Sequence, residues 1–268
     1  MNYFKPEKYQ TYWPNTARYS PISLQLTDSS PANSVSVKGT VSELHSFYAW
    51  KDLTVEDEDV MIDIGGHCGV VRIYYAMIFP QLKIYTYEPV PDNFYSLTRN
   101  LEMNKITNVE AFNLAVTSDG RTVELSHPRL DASKASITEK SGGYLDATDG
   151  AEYMDFHLVK SVTLNEIFKK NNIKKCRIMK VDCECSEYEI FSSYAKSGFK
   201  YEIENVFGEF HENGNLRRKG HSIESIMNML HENNVNTRVA SVAVADIIDS
   251  EGQIISLDNG KIGQLRIG

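Results

Sequence analysis

The sequence has little of what would tie it to a membrane, to nucleic acid or to an oxidising compartment. Its 268 residues include only four cysteines, and its formal net charge is -8. The cysteines show no framework spacing and the first residues lack an apolar signal segment, so we expect reduced thiols in a cytoplasmic protein. No apolar run approaches the roughly 20 residues of a membrane span. The acidic balance argues against nucleic-acid phosphates as the main partner.

Two common phosphate-binding loops are also missing. A dinucleotide fingerprint aligned on Gly66 and Gly69 would place its first glycine at Ile64, and no Gly-Lys-Ser/Thr of a Walker A loop follows. These absences disfavour a nicotinamide-dependent oxidoreductase, which we keep as an alternative, and a P-loop nucleotidase.

The strongest pattern that is present runs over residues 59–69. An apolar segment at 60–64 predicts a buried strand, and Gly65, Gly66 and Gly69 follow it directly. The apolar residues 70–79 then predict a helix. Strand, glycine turn and helix is the ligand-binding opening of a doubly wound α/β domain, where the helix N-terminus offers free N–H groups to an anion.

The acids near this turn indicate which ligand it takes. Asp63, at the strand end, suits a cationic amine. Glu88, at the end of the next predicted strand, is placed to bind two ribose hydroxyls. A ribose joined to an amino-acid zwitterion describes S-adenosylmethionine. The alternative is that Asp63 caps the helix and that Glu88 is an exposed strand-end acid.

Strand and helix patterns alternate along the rest of the chain. Further strands are predicted at 108–116, 175–182 and 205–211, and an amphipathic helix at 222–233. The Asn259-Gly260 pair near the end predicts a hairpin. We therefore predict an α/β fold, doubly wound, with a mostly parallel seven-stranded sheet ending in an antiparallel hairpin. That ending suits a methyltransferase better than a dehydrogenase.

The pattern divides the chain into an arm and one domain. Residues 1–42 are predicted to form an irregular arm packed on the domain. This arm either covers the ligand mouth or only packs against the core. Residues 43–268 form the domain, and it contains an irregular polar insertion at about 127–160.

A second group of charges falls on the later strands. Lys180, Asp182 and Glu184 alternate on one, and Glu209 and His211 on the next, so they should meet at the carboxyl edge of the sheet. Three interpretations stay open. His211 or a carboxylate is a general base, Asp182 and Glu209 being the carboxylate candidates. Asp182, Glu184 and Glu209 bind Mg²⁺. The third is a structural network around Lys180.

Four segments together resemble the FkbM family of S-adenosylmethionine-dependent methyltransferases: residues 60–69, Tyr87-Glu88-Pro89, residues 113–116 and residues 180–184. The resemblance covers roughly residues 43–211. It implies the class I methyltransferase fold and methyl transfer, usually to a hydroxyl oxygen of a natural product or glycan. By that match the cofactor would be held by Asp63, Gly65, Gly69 and Glu88, with Gly66 in the same turn and the strand end near Asn113 bordering the adenine.

The sequence departs from the family at two places. Gly66-His67 stands where the family often has Ala-Asn, and Glu184-Cys185 stands where it often has Glu-Gly. We predict an O-methyltransferase of a small molecule or glycan. An N-methyltransferase is a close variant, and a cofactor-binding module without catalysis is a further alternative. Nothing in the sequence decides between a monomer and a homo-oligomer.

Overall fold

A computed structural model describes residues 6–11, 22–28, 34–44, 53–129, 131–138, 153–198, 200–212, 216–217, 219–244, 247–248 and 254–255. The helices in these ranges are α1 (Ser34–Glu43), α2 (Val70–Ile78), α3 (Pro91–Met103), α4 (Leu164–Lys170), α5 (Glu187–Lys196) and α6 (Ile223–Glu232). The first strands are β1 (Glu7–Thr11), β2 (Ile22–Leu26), β3 (Val60–Ile64), β4 (Lys83–Tyr87), β5 (Val109–Phe112), β6 (Ala115–Thr117), β7 (Val123–Pro128) and β8 (Ser136–Ile137). The later strands are β9 (Met154–Val159), β10 (Ser161–Thr163), β11 (Lys175–Cys176), β12 (Ile178–Val181), β13 (Glu202–Ile203), β14 (Asn205–Glu212), β15 (Asn236–Val244), β16 (Ile247–Ile248) and β17 (Ile254–Ile255).

The central sheet has the strand order β15-β14-β12-β3-β4-β5, and all neighbouring strands are parallel. The chain extends the sheet from β3 to β5 in one direction and from β12 to β15 in the other. The order therefore reverses between β3 and β12, and in such sheets ligands bind outside the carboxyl ends of the strands at this point. The predicted doubly wound α/β fold is confirmed.

The strand count differs from the prediction. In the described residues the central sheet has six strands instead of seven. Its last strand, β15, follows α6 back to the amino end of the sheet and runs parallel to β14, whereas we predicted an antiparallel ending. After β15 the described residues contain the short antiparallel pair β16–β17, which forms a sheet of its own. The predicted Asn259-Gly260 turn lies outside the described residues.

Helices cover both faces of the sheet. On one face α1, α2 and α3 pack with β2, and on the other α4, α5 and α6 pack together. Alternate residues of a strand supply the two layers: Met61 contributes to the first and Ile62 to the second. In the part of the chain that the structure covers, no helix combines the length and apolar character that a membrane crossing requires.

The amino-terminal arm is regular where it is described, so the prediction of an irregular arm is wrong there. β1 and β2 pair antiparallel, α1 follows, and Leu24 and Leu26 are buried in the core layer that contains α2. Asn100 of α3 ties the arm down. Its amide bonds the backbone N–H and carbonyl of Thr27 at 2.8 Å each, and it also donates to the carbonyl of Cys68 at 2.7 Å.

The predicted irregular insertion is also more regular than expected. β7 pairs antiparallel with both β8 and β9, giving a three-stranded sheet within and beside 127–160. Residues 130 and 139–152 lie outside the described residues. Strand β9 is hard to predict from the sequence. A half-buried strand turns its apolar face inward, but β9 exposes Phe156 and Leu158.

Candidate active site

A cavity of about 320 Å³ opens at the carboxyl edge of the central sheet, where β3 and β12 end. This volume is at the lower end of the range of small-ligand pockets. Six of the predicted site residues line it: Gly65, Gly66, Glu88, Asp182, Glu184 and Glu209. Four predicted site residues are not part of the lining: Asp63, Gly69, Asn113 and His211.

The glycine turn is built where two backbones approach closely. Gly65 has φ +85°, and a Cβ at this position would lie 1.7 Å from the carbonyl oxygen of Asp182. The N–H groups of Gly65 and Gly66 both donate to the carbonyl of Tyr87, at 3.0 and 2.9 Å. Gly69 caps the N-terminus of α2 with φ +99°. The turn therefore requires glycine and presents backbone, without a Cβ, to the cavity.

Asp63 faces protein cations and not the cavity. Its carboxylate lies 2.8 Å from Nε of Arg72 and 3.6 Å from Nζ of Lys180, and it accepts a 2.5 Å hydrogen bond from Oγ1 of Thr86. Lys180 also donates to the carbonyl of Gly65 at 2.7 Å. We call Asp63, Arg72 and Lys180 the core ion group. It holds the glycine turn, so direct contact of Asp63 with a ligand amine, which we expected, is not what this geometry offers.

Glu88 lies at the cavity with its carboxylate hydrogen-bonded by backbone. It accepts from the N–H of His67 at 2.5 Å and from the N–H of Val90 at 2.9 Å, with Nδ2 of Asn93 at 3.3 Å. Burial raises the pKa of Glu88 to about 7, although these hydrogen bonds favour the ionised form. Glu88 thereby fixes the turn after β3 and the start of α3 while it borders the cavity.

Asn113 shapes the same corner from outside the lining. Its Nδ2 donates to the carbonyls of Glu88 and Pro89, at 2.8 and 2.9 Å. The residues that follow it, Leu114 and Ala115, line the cavity instead. The side chain that we expected to border an adenine therefore holds the backbone of Glu88 and Pro89 and does not line the cavity.

This corner fits S-adenosylmethionine. A turn free of Cβ atoms suits the amino-acid part of the ligand, and a strand-end carboxylate suits a ribose. Ile64, Tyr87 and Leu114 supply apolar surface beside them. Glu88 and the Gly65–Gly66 backbone would hold the cofactor.

The remaining predicted charges converge on the other side of the cavity. His211 Nδ1 lies 3.1 Å from Glu187, and its Nε2 lies 3.6 Å from Glu184 and 3.7 Å from Glu209. Asp182 lies 3.3 Å from Nζ of Lys180 and thereby joins this cluster to the core ion group. We call Asp182, Glu184, Glu187, Glu209 and His211 the edge acid group.

The edge acid group favours the protonated form of His211, whereas a general base must be neutral. Burial lowers the pKa of His211, but the hydrogen bond to Glu187 and the charges of Glu184 and Asp182 raise it to about 10. Burial raises the pKa of Glu184 to about 7, with His211 opposing the shift. Burial also raises the pKa of Asp182, but Lys180 and His211 outweigh it and the net shift is downward. At neutral pH His211 therefore carries a proton, and the pKa of Glu184 lies close to the pH.

The departure from the family pattern at Cys185 has a structural consequence. Glu184 and Cys185 have φ of 51° and 80°, in the left-handed region that favours glycine. Ser136 of β8 donates to the carbonyl of Glu184 at 2.7 Å, so the insertion sheet holds this strained corner.

Sequence reasoning missed two charged residues of the site. Arg72 is 2% exposed and is a lone cation in the otherwise apolar start of α2, which was a usable signal. Glu187 is fully buried at the start of α5, accepts from the N–H of Cys183 at 3.1 Å and pairs with His211. Its position gave no such signal, since acids are common in first turns.

The model of the Methyltransferase FkbM domain matches residues 63–236. The chain belongs to this FkbM family. The matched span begins at Asp63 and contains the glycine turn, Glu88 and all of the edge acid group. Family membership makes the protein an S-adenosylmethionine-dependent methyltransferase, so the nicotinamide alternative is set aside.

Two curated relatives of this FkbM methyltransferase are fungal. Methyltransferase 1 of Beauveria bassiana (strain ARSEF 2860) is 24% identical over 184 residues, which cover 62% of this chain and 73% of the relative. Methyltransferase sdnD of Sordaria araneosa is 24% identical over 195 residues, covering 65% of this chain and 75% of the relative.

Two solved structures resemble part of this FkbM chain at low overall similarity. Precorrin-6y C5,15-methyltransferase of Geobacter metallireducens GS-15 has a TM-score of 0.27 and 14% identity over 54% of this chain and 50% of its own. TYW2 of M. jannaschii, solved in complex with AdoMet, has a TM-score of 0.24 and 18% identity over 41% of this chain and 44% of its own. The FkbM chain thus spans half or less of these structures.

Proposed function

We propose that this FkbM methyltransferase methylates a hydroxyl oxygen of a small molecule or glycan. The observation that carries the proposal is the cavity at the switch point. On one side it has the glycine turn and Glu88, and on the other the acids Asp182, Glu184 and Glu209. A cofactor corner and a proton-accepting corner then face each other across one pocket.

The chain's own residues would divide the work as follows. Gly65, Gly66 and Glu88 hold the cofactor, and Asp63 positions the turn through Lys180. When bound, S-adenosylmethionine would supply its sulfonium methyl group to the acceptor oxygen and would leave as S-adenosylhomocysteine. Alignment of the acceptor in a pocket that excludes water supplies most of the rate.

The proton of the acceptor hydroxyl passes to Glu184 in this proposal. Its pKa of about 7 matches a general base at neutral pH, and it lines the cavity. His211, which we first considered as the base, already holds a proton and is not in the lining. It acts as a positioning residue between Glu187 and Glu184, and Asp182 and Glu209 complete the acidic wall.

Binding of Mg²⁺ by Asp182, Glu184 and Glu209 is the competing mechanism. The Lys180 ammonium 3.3 Å from Asp182 weighs against it, because this cation already pairs with the carboxylate and would repel a divalent ion. The two mechanisms separate by chelation: turnover that survives EDTA supports Glu184, and turnover that is lost and returns with Mg²⁺ supports the metal.

Methylation of an amine is the second candidate. Four carboxylates of the edge acid group face the positive charges of His211 and Lys180, and a surplus of acid favours a cationic acceptor. An amine must lose its proton before transfer, and Glu184 would accept that proton as well.

The acceptor would be chosen by the arm and the insertion. Gly39 and Thr40 of α1 line the cavity, and so do Leu125 of β7 and Ile137 of β8. These segments lie outside the strand–turn–helix frame that holds the cofactor. Exchange of either segment should change the acceptor and leave cofactor affinity in place.

Calorimetry with S-adenosylhomocysteine tests the cofactor half of the proposal. Glu88→Gln should weaken binding by about 10- to 100-fold, since a hydrogen bond to a charged group contributes roughly 1.5–3 kcal/mol. Glu110→Gln, an exposed acid on β5, is the matched control and should bind like the wild type. Unchanged affinity in Glu88→Gln, or tighter binding of NAD, would contradict the assignment.

Turnover of candidate glycosides, polyketides and amines tests the acceptor half. Mass spectrometry of the product should show one added methyl group on oxygen. Methyl found only on nitrogen would replace the first candidate with the second.

A further inference from the structure

Three side chains with metal-binding donors meet where the arm touches the glycine turn, outside the edge acid group. Asp28 follows β2, and His67 and Cys68 belong to the turn after β3. One donor atom of each lies within 4.8 Å of the other two. These residues are 39 or more positions apart in sequence from arm to turn, so only the fold brings them together.

The spacing of the donors suits a tetrahedral ion after small adjustments. Zinc bonds of about 2.0–2.3 Å to nitrogen, oxygen and sulfur place neighbouring donors about 3.3–3.8 Å apart. Donors within 4.8 Å of one another reach that spacing by side-chain shifts on the order of 1 Å.

The surroundings pre-organise the three residues. The Asn100 amide bonds both carbonyl and N–H of Thr27, next to Asp28, and donates to the carbonyl of Cys68, which fixes arm and turn relative to each other. Cys68 is fully buried. The Nε2 atom of His67 is also buried, and within the described residues it has no hydrogen-bond partner. A buried ring nitrogen without a partner calls for an explanation, and an ion is one.

The donor types select the class of ion. A thiolate, an imidazole and a carboxylate are ligands of zinc, whereas Mg²⁺ and Ca²⁺ prefer oxygen alone. His67 also lines the cavity, and three protein ligands leave the fourth position of a tetrahedral zinc ion to water. The neighbouring cation, Arg72, is paired with Asp63 at 2.8 Å, and this reduces its repulsion of an ion.

We propose that Asp28, His67 and Cys68 bind Zn²⁺ and so fasten the amino-terminal arm to the glycine turn. Binding displaces the proton of the Cys68 thiol, which is released to solvent. Because α1 lines the cavity and follows Asp28 in the chain, the ion would hold the arm side of the cavity in place. Zinc binding at these residues does not require a particular methyl acceptor or the proton acceptor proposed above.

The test is calorimetric titration of the full chain with ZnCl₂ alone. We expect one tight site per chain, and a loss of affinity of at least about 30-fold in Cys68→Ser and in Asp28→Asn. Cys176→Ser is the matched control, because Cys176 is equally buried but belongs to no such cluster of described residues. Glu184→Gln removes a donor of the edge acid group and should leave the tight site unchanged.

Zinc affinity in Cys68→Ser equal to that of the wild type would overturn the proposal, as would equal losses in Cys176→Ser or Glu184→Gln. X-ray absorption on the zinc-loaded wild type needs no variant to fold. One sulfur ligand with nitrogen and oxygen ligands supports the site, and a shell of nitrogen and oxygen alone overturns it. The affinity for S-adenosylhomocysteine is measured with and without Zn²⁺. Loss of zinc binding with cofactor affinity retained refutes only the zinc site, and loss of cofactor affinity in both conditions refutes only the cofactor assignment.

Discussion

Two charged clusters lie next to each other at the end of β12, and they differ in their exposure to solvent. In the core ion group, Asp63 and Lys180 are 0% and 2% exposed, and one buried carboxylate lies between two buried cations. In the edge acid group, Glu184 and Glu209 are 29% and 27% exposed, acids outnumber bases, and one carboxyl titrates near neutral pH. Similar residue types therefore stabilise the turn in one cluster and are free to exchange protons in the other, and burial makes the difference.

Lys180 connects the two clusters, since it lies 3.6 Å from Asp63 and 3.3 Å from Asp182. A change in the core ion group should lower stability, and a change in the edge acid group should lower turnover. The following variants test this separation.

Asp63→Ala should cause the largest effect. It leaves Arg72 and Lys180 buried without their shared carboxylate, and removal of one partner of a buried ion pair costs about 3–5 kcal/mol. Urea denaturation measures the free energy of unfolding. The control Glu110→Ala removes an exposed pair with Lys83 and should cost under about 1 kcal/mol. Equal losses in both variants would break the comparison.

Glu184→Gln should lower kcat by about 100-fold with little change in stability, because it removes the proton acceptor from a partly exposed position. Wild-type turnover should rise with pH through about 7, since Glu184 accepts a proton only when it is ionised. The variant should lack this rise. A wild-type profile that is flat between pH 6 and 8 would argue against Glu184 as the base.

His211→Gln should change how stability depends on pH. The folded pKa of His211, about 10, lies above its ordinary 6.5, so its contribution is complete below pH 6.5 and is lost as pH rises toward 10. Wild-type stability should therefore fall more steeply than that of the variant above pH 7, by at most about 1.4 kcal/mol per pH unit for one proton. His231→Gln, an exposed histidine on α6, should keep the wild-type slope. If the free energy of unfolding depends on pH equally in the wild type and in His211→Gln, the ion pairs of His211 do not stabilise the protein.

Cys185→Gly should give the smallest effect, a gain of about 0.5–1 kcal/mol. Cys185 has φ of 80°, and glycine adopts this conformation without strain. Cys183→Gly is the control: Cys183 does not have a positive φ, so the same change there should destabilise the protein. Thermal unfolding of both variants decides, and a destabilised Cys185→Gly would mean that its side-chain contacts outweigh the strain.

The sequence predicted those parts of the site that depend on local pattern. The strand at 60–64 and its glycine turn are as expected, and so is the last predicted helix, which runs over Ile223–Glu232 with Ser222 as its capping residue. Glu88 lies at the cavity as predicted, because parallel strands end at the same edge.

The partners of the charges could not be predicted in the same way. That Asp63 meets Arg72, and His211 meets Glu187, depends on how helices α2 and α5 rotate against the sheet. Proton positions follow from those contacts, and the pair with Glu187 favours a protonated His211. The regular structure of the arm could not be predicted from local pattern. Its two strands are separated by residues 12–21, and Asn100 of a distant helix holds the residue that follows them.

The two bonds between Asn100 and Thr27 span 73 positions of sequence. Contacts of such long range form late, since loop closure must be overcome before they stabilise anything. We therefore expect the arm to dock after α3 and the glycine turn have folded, and to detach more readily than the central sheet unfolds. Hydrogen exchange at Thr27 faster than in β3 would follow from this order of assembly.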